Sequence, residues 1–368
     1  MTFGARALIR LGALQHNLNV IRSAAPGAKV MAVIKANAYG HGMLPVAKVL
    51  GDVDAFAVAR LAEAVELHES GVQKPIVLLA GVLTSAELDE AMRRQFQIVV
   101  HCSEQIELLE SVSKGAITVW LKFDTGMNRL GFATDDAATT IARLRECAAV
   151  SELRLMSHLA SADELTESVT ESQFARFRSV VEGFKGAVSI ANTPGTLGWP
   201  QVPAAQDTLG FEGDHWIRPG LALFGLSPFA GRHGSDLGLW PAMQFEARLI
   251  AVKPLREGAH VGYNGRYTSQ RDTTLGIISA GYGDGYSRHF RTGTPVLLNG
   301  RRVPLIGNVS MDLIAVDLGE GATDKVGDIA TLWGPELPVE EVAPWADAIP
   351  YELVCGVMNR EASELVSQ

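Results

Sequence analysis

The chain has 368 residues, 47% of them apolar and 20% charged, with a formal net charge of −9. Length predicts two or three domains, and the acidic balance argues against a nucleic-acid partner, which would favour a basic face. No run approaches the ~18 uninterrupted apolar residues of a membrane span, the start MTFGARALIRLG lacks the apolar stretch of a secretory signal, and three scattered cysteines (Cys102, Cys147, Cys355) without CxxC spacing predict a reducing cytoplasm.

In chain order, eight short apolar runs of strand length appear: VMAVI (30–34), AFAVA (55–59), IVLL (76–79), QIVV (97–100), TVWLKF (118–123), LRLMS (153–157), AVSIA (187–191) and LALFG (221–225). Segments of helical periodicity separate them. In RLAEAVELHESG, Leu61, Val65 and Leu67 share one side, Glu63, Glu66 and Glu69 lie elsewhere, and Gly71 is a stop. Alternation of helices with continuously apolar strands predicts a parallel sheet covered on both faces. Eight such units are the number that closes a (β/α)8 TIM-like barrel of roughly 200–250 residues, whose active site lies at the C-terminal strand ends. Just past those ends stand Lys35, Arg60, His101, Asp124, His158 and Asn192, with Lys122 inside an apolar run.

The pattern changes after SPFAGRHGSD (227–236). FEARLIAVKPL, TLGIISAGY, TPVLLNGRRVPLIG and SMDLIAVDLG are strand-like with short connections, and Asn299-Gly300 is a type I′ hairpin signal. The expected organisation is a barrel over 1–229 followed by a mainly antiparallel β domain over 230–368.

Lys35 poses the chemical question. It ends an apolar strand and precedes the turn residues Asn37, Gly40 and Gly42, although burying an unpaired ammonium costs several kcal/mol. Three readings are open: an ammonium that snorkels to solvent, a lysine that attacks a carbonyl substrate directly, or one that holds pyridoxal phosphate (PLP) covalently. Desolvation near other cations lowers a lysine's pKa and frees the amine as nucleophile or base.

KANAYGHG, around Lys35, resembles the cofactor signature of the alanine racemases. LKFDTGMNRLGF (121–132), MSHLASADE (156–164), IRPGLALFG (217–225), GYNGRY (262–267), GYGDGYSR (281–288) and GNVSMDL (307–313) also resemble blocks of that family, in its order and across essentially the whole chain. The resemblance implies a PLP-dependent homodimer that interconverts L- and D-alanine, for peptidoglycan synthesis or D-alanine catabolism, with active sites shared between chains. It implies Lys35 and Tyr263 as the two bases. Tyr39, Thr193 (in place of the family's usual serine), the main-chain N–H groups of Gly220 and Leu221, and Tyr351 would hold the cofactor phosphate, beside Asn192. Arg218, positioned by His158, would face the pyridine nitrogen. Arg129, the Met311 N–H and Asp312 would serve the substrate carboxylate. Lys122 stands where many members carry a carbamylated lysine, and Asp163 resembles an entry-channel residue. Asn308 replaces a usual arginine and Ser287 a common proline, which bears on the entrance. A broader amino-acid racemase, a decarboxylase of related barrel-plus-β design and a non-catalytic PLP carrier are the alternatives; Tyr263 and the racemase pattern of the blocks argue against the decarboxylase, and the β domain with Tyr263 against the carrier.

Overall fold

The computed structural model describes residues 4–166, 168–358, 360 and 363–366. Strand β1 (Arg6–Arg10) leads into a helix, Leu11–Ala24, and then the first barrel strand, β2 (Lys29–Val33). β3 (Ala55–Val58), β4 (Ile76–Leu78), β5 (Gln97–Val100) and β6 (Ile117–Asp124) follow, with a two-residue strand β7 (Phe132–Ala133) beside β6. β8 (Val150–Met156), β9 (Val188–Ser189) and β10 (His215–Ile217) complete the set. Every neighbouring pair is parallel, and β10 pairs with β2 to close the ring. Among the described residues this is an eight-stranded parallel barrel wrapped by helices. β3, β4 and β5 are buried at every position, which is why their sequences read as unbroken apolar runs.

One expected strand is corrected. Leu221–Phe224 is a 3₁₀ turn, and the eighth barrel strand is the three-residue β10. All four residues of that turn are buried, and a short apolar run buried on every side is the same in sequence whether strand or helix.

The β domain opens with the long strand β11 (Met243–Leu255) and a small ribbon, β12 (His260–Val261) with β13 (Tyr267–Thr268). β14 (Thr273–Ile278), β15 (Pro295–Leu298), β16 (Arg301–Pro304), β17 (Ile314–Asp317) and β18 (Ile329–Trp333) are antiparallel to their partners. The β15–β16 hairpin turns on Asn299 and Gly300, both at positive φ (48° and 75°), as its sequence predicts. Two strands join this sheet from far away in the chain: β1 lies antiparallel to β11, and β19 (Glu364–Val366) lies parallel to β1. No helix among the described residues is long and apolar enough to cross a membrane.

Candidate active site

β2 ends one residue before Ile34, and the chain then does something L-residues avoid. Ala36, Asn37, Ala38 and Tyr39 are all left-handed, with φ between 52° and 54°. Each such residue costs roughly 1–2 kcal/mol, so the turn must be held from outside. Glu63 accepts the N–H groups of Ala36 (2.7 Å), Ala59 (2.9 Å) and Arg60 (3.0 Å). Asn37 Oδ1 accepts the Met43 N–H at 2.8 Å. Gly40 (φ 81°) ends the turn, and a Cβ there would collide with the Val354 carbonyl of the helix Pro350–Cys355. The turn therefore packs against the helix that carries Tyr351.

Lys35 starts this turn at the mouth of a cavity of about 620 Å³ on the C-terminal side of the barrel. Lys122, Arg129 and Arg218 line the same cavity, and among the described residues none of these four cations forms an ion pair. Burial, and then the charge of Arg129, lowers the Lys35 pKa. Burial, then Arg218 and Arg129, pushes Lys122 down to about 8. A half-buried pocket of unpaired cations is costly to maintain and calls for anions.

Arg218 is 5% exposed and fixed on several sides. It donates to the Ser157 and Ile190 carbonyls and to Ser189 Oγ, with Nη2 3.2 Å from His158 Nδ1. Burial pushes its pKa down to about 9, which still leaves it cationic at neutral pH.

In the same cavity, Thr193 Oγ1 accepts the Gly220 N–H at 3.0 Å and the Ala222 N–H at 3.5 Å. With both lone pairs engaged, its hydroxyl proton is free to donate outward. Tyr39 packs beside Gly220, where a Cβ would meet its hydroxyl, and its ring lies 6.0 Å from that of Tyr351. Burial raises the pKa of both phenols, that of Tyr351 to about 12, so both stay protonated donors. Asn192 caps the helix Thr193–Gly198 through the Gly195 N–H and donates to the Leu159 carbonyl, each at 3.1 Å.

Residues 9–228 match the profile described as alanine racemase, N-terminal domain, and residues 242–364 match alanine racemase, C-terminal domain. The chain belongs to the alanine racemase family. It is 47% identical to the alanine racemase of Vibrio atlanticus over 364 residues, 98% of this chain and 99% of that one. The biosynthetic alanine racemase of Pseudomonas aeruginosa has the same structure with a TM-score of 0.92 and 37% identity, covering 99% of this chain and 100% of that one. For the alanine racemase of Acinetobacter baumannii the values are 0.88 and 33%, with 99% and 100% covered.

Of the residues that the alanine racemase blocks single out, the cavity gathers Lys35, Tyr39, Lys122, Arg129, His158, Asp163, Asn192, Thr193, Arg218, Gly220, Leu221 and Tyr351. Tyr263, Met311 and Asp312 are not among its lining residues. Tyr263 is 73% exposed on a turn between β12 and β13, and Met311 is exposed as well. Asp312 accepts from Arg360 Nη1 at 2.6 Å, and the same nitrogen reaches Asp284 at 3.2 Å. Asn308 Nδ2 donates to the Tyr263 carbonyl at 3.3 Å, while Ser287 Oγ accepts the His289 N–H at 3.2 Å. In the sequence Glu63 lies only off the apolar side of its helix, and Ser189 and His41 carry no assignment. A glutamate four residues after a strand end, at the start of a helix, is a capping signal that points to Glu63; nothing local points to the other two.

Proposed function

We propose that the enzyme interconverts L- and D-alanine with PLP as cofactor, as a homodimer in which each site takes residues from both chains. The observation that carries the reading is Lys35: a desolvated lysine at the end of the first barrel strand, in one cavity with three cations that have no ion-pair partner among the described residues and with three hydroxyl donors. That donor set fits the cofactor. Tyr39, Tyr351, Thr193 and the Leu221 N–H would hold its phosphate, with the Gly220 N–H turning to it from Thr193 Oγ1 and Asn192 shaping that wall. Lys35 would hold it covalently, and Arg218, steadied by His158, would face its ring nitrogen.

When bound, PLP supplies the electron withdrawal that makes an α-hydrogen acidic. The residues of the chain supply the rest. Arg218 is a donor, so it would leave the ring nitrogen unprotonated and restrain charge spread, which would limit side reactions. Lys35, its pKa lowered by burial and by Arg129, is the group that would release and take a proton at Nζ. Racemisation needs a second base on the opposite face; Tyr263 Oη fills that role from the partner chain. Arg129 binds the substrate carboxylate together with the Met311 N–H, whose loop Asp312 fixes. Lys122, with a pKa of about 8, is partly neutral under working conditions and open to carbamylation. The negative charge gained would pair with Arg129.

An amino-acid panel resolved by chiral chromatography tests this reading. One methylene changes selectivity by about 1–3 kcal/mol, so alanine should racemise fastest, serine slowly and larger residues hardly at all. Comparable rates for alanine, lysine and arginine would favour the broader racemase; no racemisation of any would refute the assignment.

A further inference from the structure

His41 directly follows the left-handed turn, is 1% exposed, and stacks on Phe224 with 4.4 Å between ring centroids. Its Nδ1 lies 2.8 Å from the Tyr39 carbonyl oxygen and 3.1 Å from that of Ala38. Carbonyls only accept, so Nδ1 carries a hydrogen. Burial pushes the His41 pKa to about 4, which leaves the ring neutral and Nε2 a bare acceptor. Among the described residues, no group reaches Nε2.

Trp333 Nε1–H, at the end of β18, is the complementary case: 1% exposed, a donor, and without a partner among the described residues. Both rings line one cavity at the seam between barrel and β domain, together with Phe224, Leu226, Met243 and Val354. Its volume is about 10 Å³, close to the space that one water centre requires. Buried polar groups in folded proteins are almost always hydrogen-bonded. A single water that accepts from Trp333 and donates to His41 satisfies both.

We propose that His41 is a positioning residue for the turn that carries Lys35, acting through one buried water shared with Trp333. The inference rests on reading Lys35 as the cofactor lysine. The chain of bonds then runs Trp333 N–H, water, His41 Nε2, and from His41 Nδ1–H to the Ala38 and Tyr39 carbonyls. It ties a strained backbone segment of the barrel to the β domain, and each donor polarises the next.

Three measurements on the holoenzyme test this. A high-resolution crystal structure should show one water within hydrogen-bond reach of both nitrogens, and nitrogen NMR of His41 should show the Nδ1–H tautomer. Two variants then separate the halves of the bridge. His41→Asn keeps a donor near the Nδ1 position but cannot reach the water. Trp333→Phe keeps a ring against Phe245 and Tyr286 and removes the donor together with part of the buried ring. Each should lower kcat by about three- to tenfold, as for a lost water-mediated bond, with less than about twofold change in KM. Each should also shift the visible absorbance of the bound cofactor. The double variant should be no worse than the worse single one, since both remove the same bridge. Absence of the water, an Nε2–H tautomer, unchanged kcat and absorbance in the single variants, or losses that multiply would each overturn the proposal. The first two readouts do not depend on racemisation. If Lys35→Ala kept its colour, the functional reading would fall while the water and tautomer would remain.

Discussion

His158 Nδ1 stands 3.2 Å from Arg218 Nη2, and this pair fixes the protonation of both. A guanidinium only donates, so Nδ1 offers its lone pair and the ring hydrogen sits on Nε2. Burial first, and Arg218's charge second, hold the His158 pKa well below its usual 6.5. Replacing Arg218→Gln should therefore raise the His158 pKa, yet leave it under 6.5 because burial remains. Ring NMR through an acid titration reads this directly; an unmoved midpoint would mean that the two groups are not coupled. The same variant should slow turnover, because a neutral amide no longer commits the ring nitrogen to one state.

Stability should fall in acid through buried neutral histidines. His215 is 6% exposed, and burial, with Arg218 behind it, brings its pKa to about 4 from 6.5. The unfolded chain thus binds the proton first. Its stabilising contribution is complete above pH 6.5 and is lost as pH drops towards 4, at up to ~1.4 kcal/mol per pH unit. Between pH 6.5 and 5, His215→Gln should lose about 1.5 kcal/mol less than the parent in denaturant unfolding. Parallel losses in the two proteins would contradict the assignment.

Lys35→Ala should abolish both the visible absorbance of bound cofactor and alanine racemisation. Tyr263→Phe should keep the colour and lower kcat by about 10²–10⁴, the usual worth of a general acid–base group. A colourless Tyr263→Phe protein would show that the tyrosine holds cofactor instead.

Subunit mixing tests where Tyr263 acts. It is exposed and is not among the residues lining its own chain's cavity. After exchange between Lys35→Ala and Tyr263→Phe chains, each heterodimer should gather both lesions in one site and leave the other intact. Activity should return towards half the parental value. A dead mixture after proven exchange would place both residues in one chain.

Gly40→Ala probes the turn itself. The position needs φ 81° and has no room for a Cβ against Val354, so the change should destabilise by more than the ~1 kcal/mol of a left-handed alanine. Thermal midpoint and cofactor retention should fall together. A protein with a parental midpoint would mean that the helix Pro350–Cys355 yields easily.

Seven of the eight barrel strands were legible because both faces of a wrapped parallel sheet are buried, and this writes continuous apolar runs such as QIVV and TVWLKF. The eighth, His215–Ile217, is three residues long and begins with a polar ring, so the neighbouring LALF drew the reading instead. Lys35 was legible as an anomaly within an apolar pattern, and the ordered blocks around it supplied the chemistry. His41 and Glu63 were not, because their importance arises from four left-handed residues that no composition announces. Strand β1 was invisible for another reason: its partner β11 begins more than 230 residues later, and local periodicity carries no trace of so distant a pairing.

That distant pairing makes the barrel an insertion within the sheet of the other domain. β1 leaves the ribosome well before its partners, and must wait for Met243–Leu255 on one side and Glu364–Val366 on the other. During synthesis the helix Leu11–Ala24 can dock on the growing barrel while the strand before it stays unmatched. Severing the chain near residue 230 would thus give no free-standing halves: the N-terminal piece would carry an orphan strand, and the C-terminal piece would have a slot in its sheet. Complementation by the two pieces mixed together, and not by either alone, is the behaviour this topology encodes.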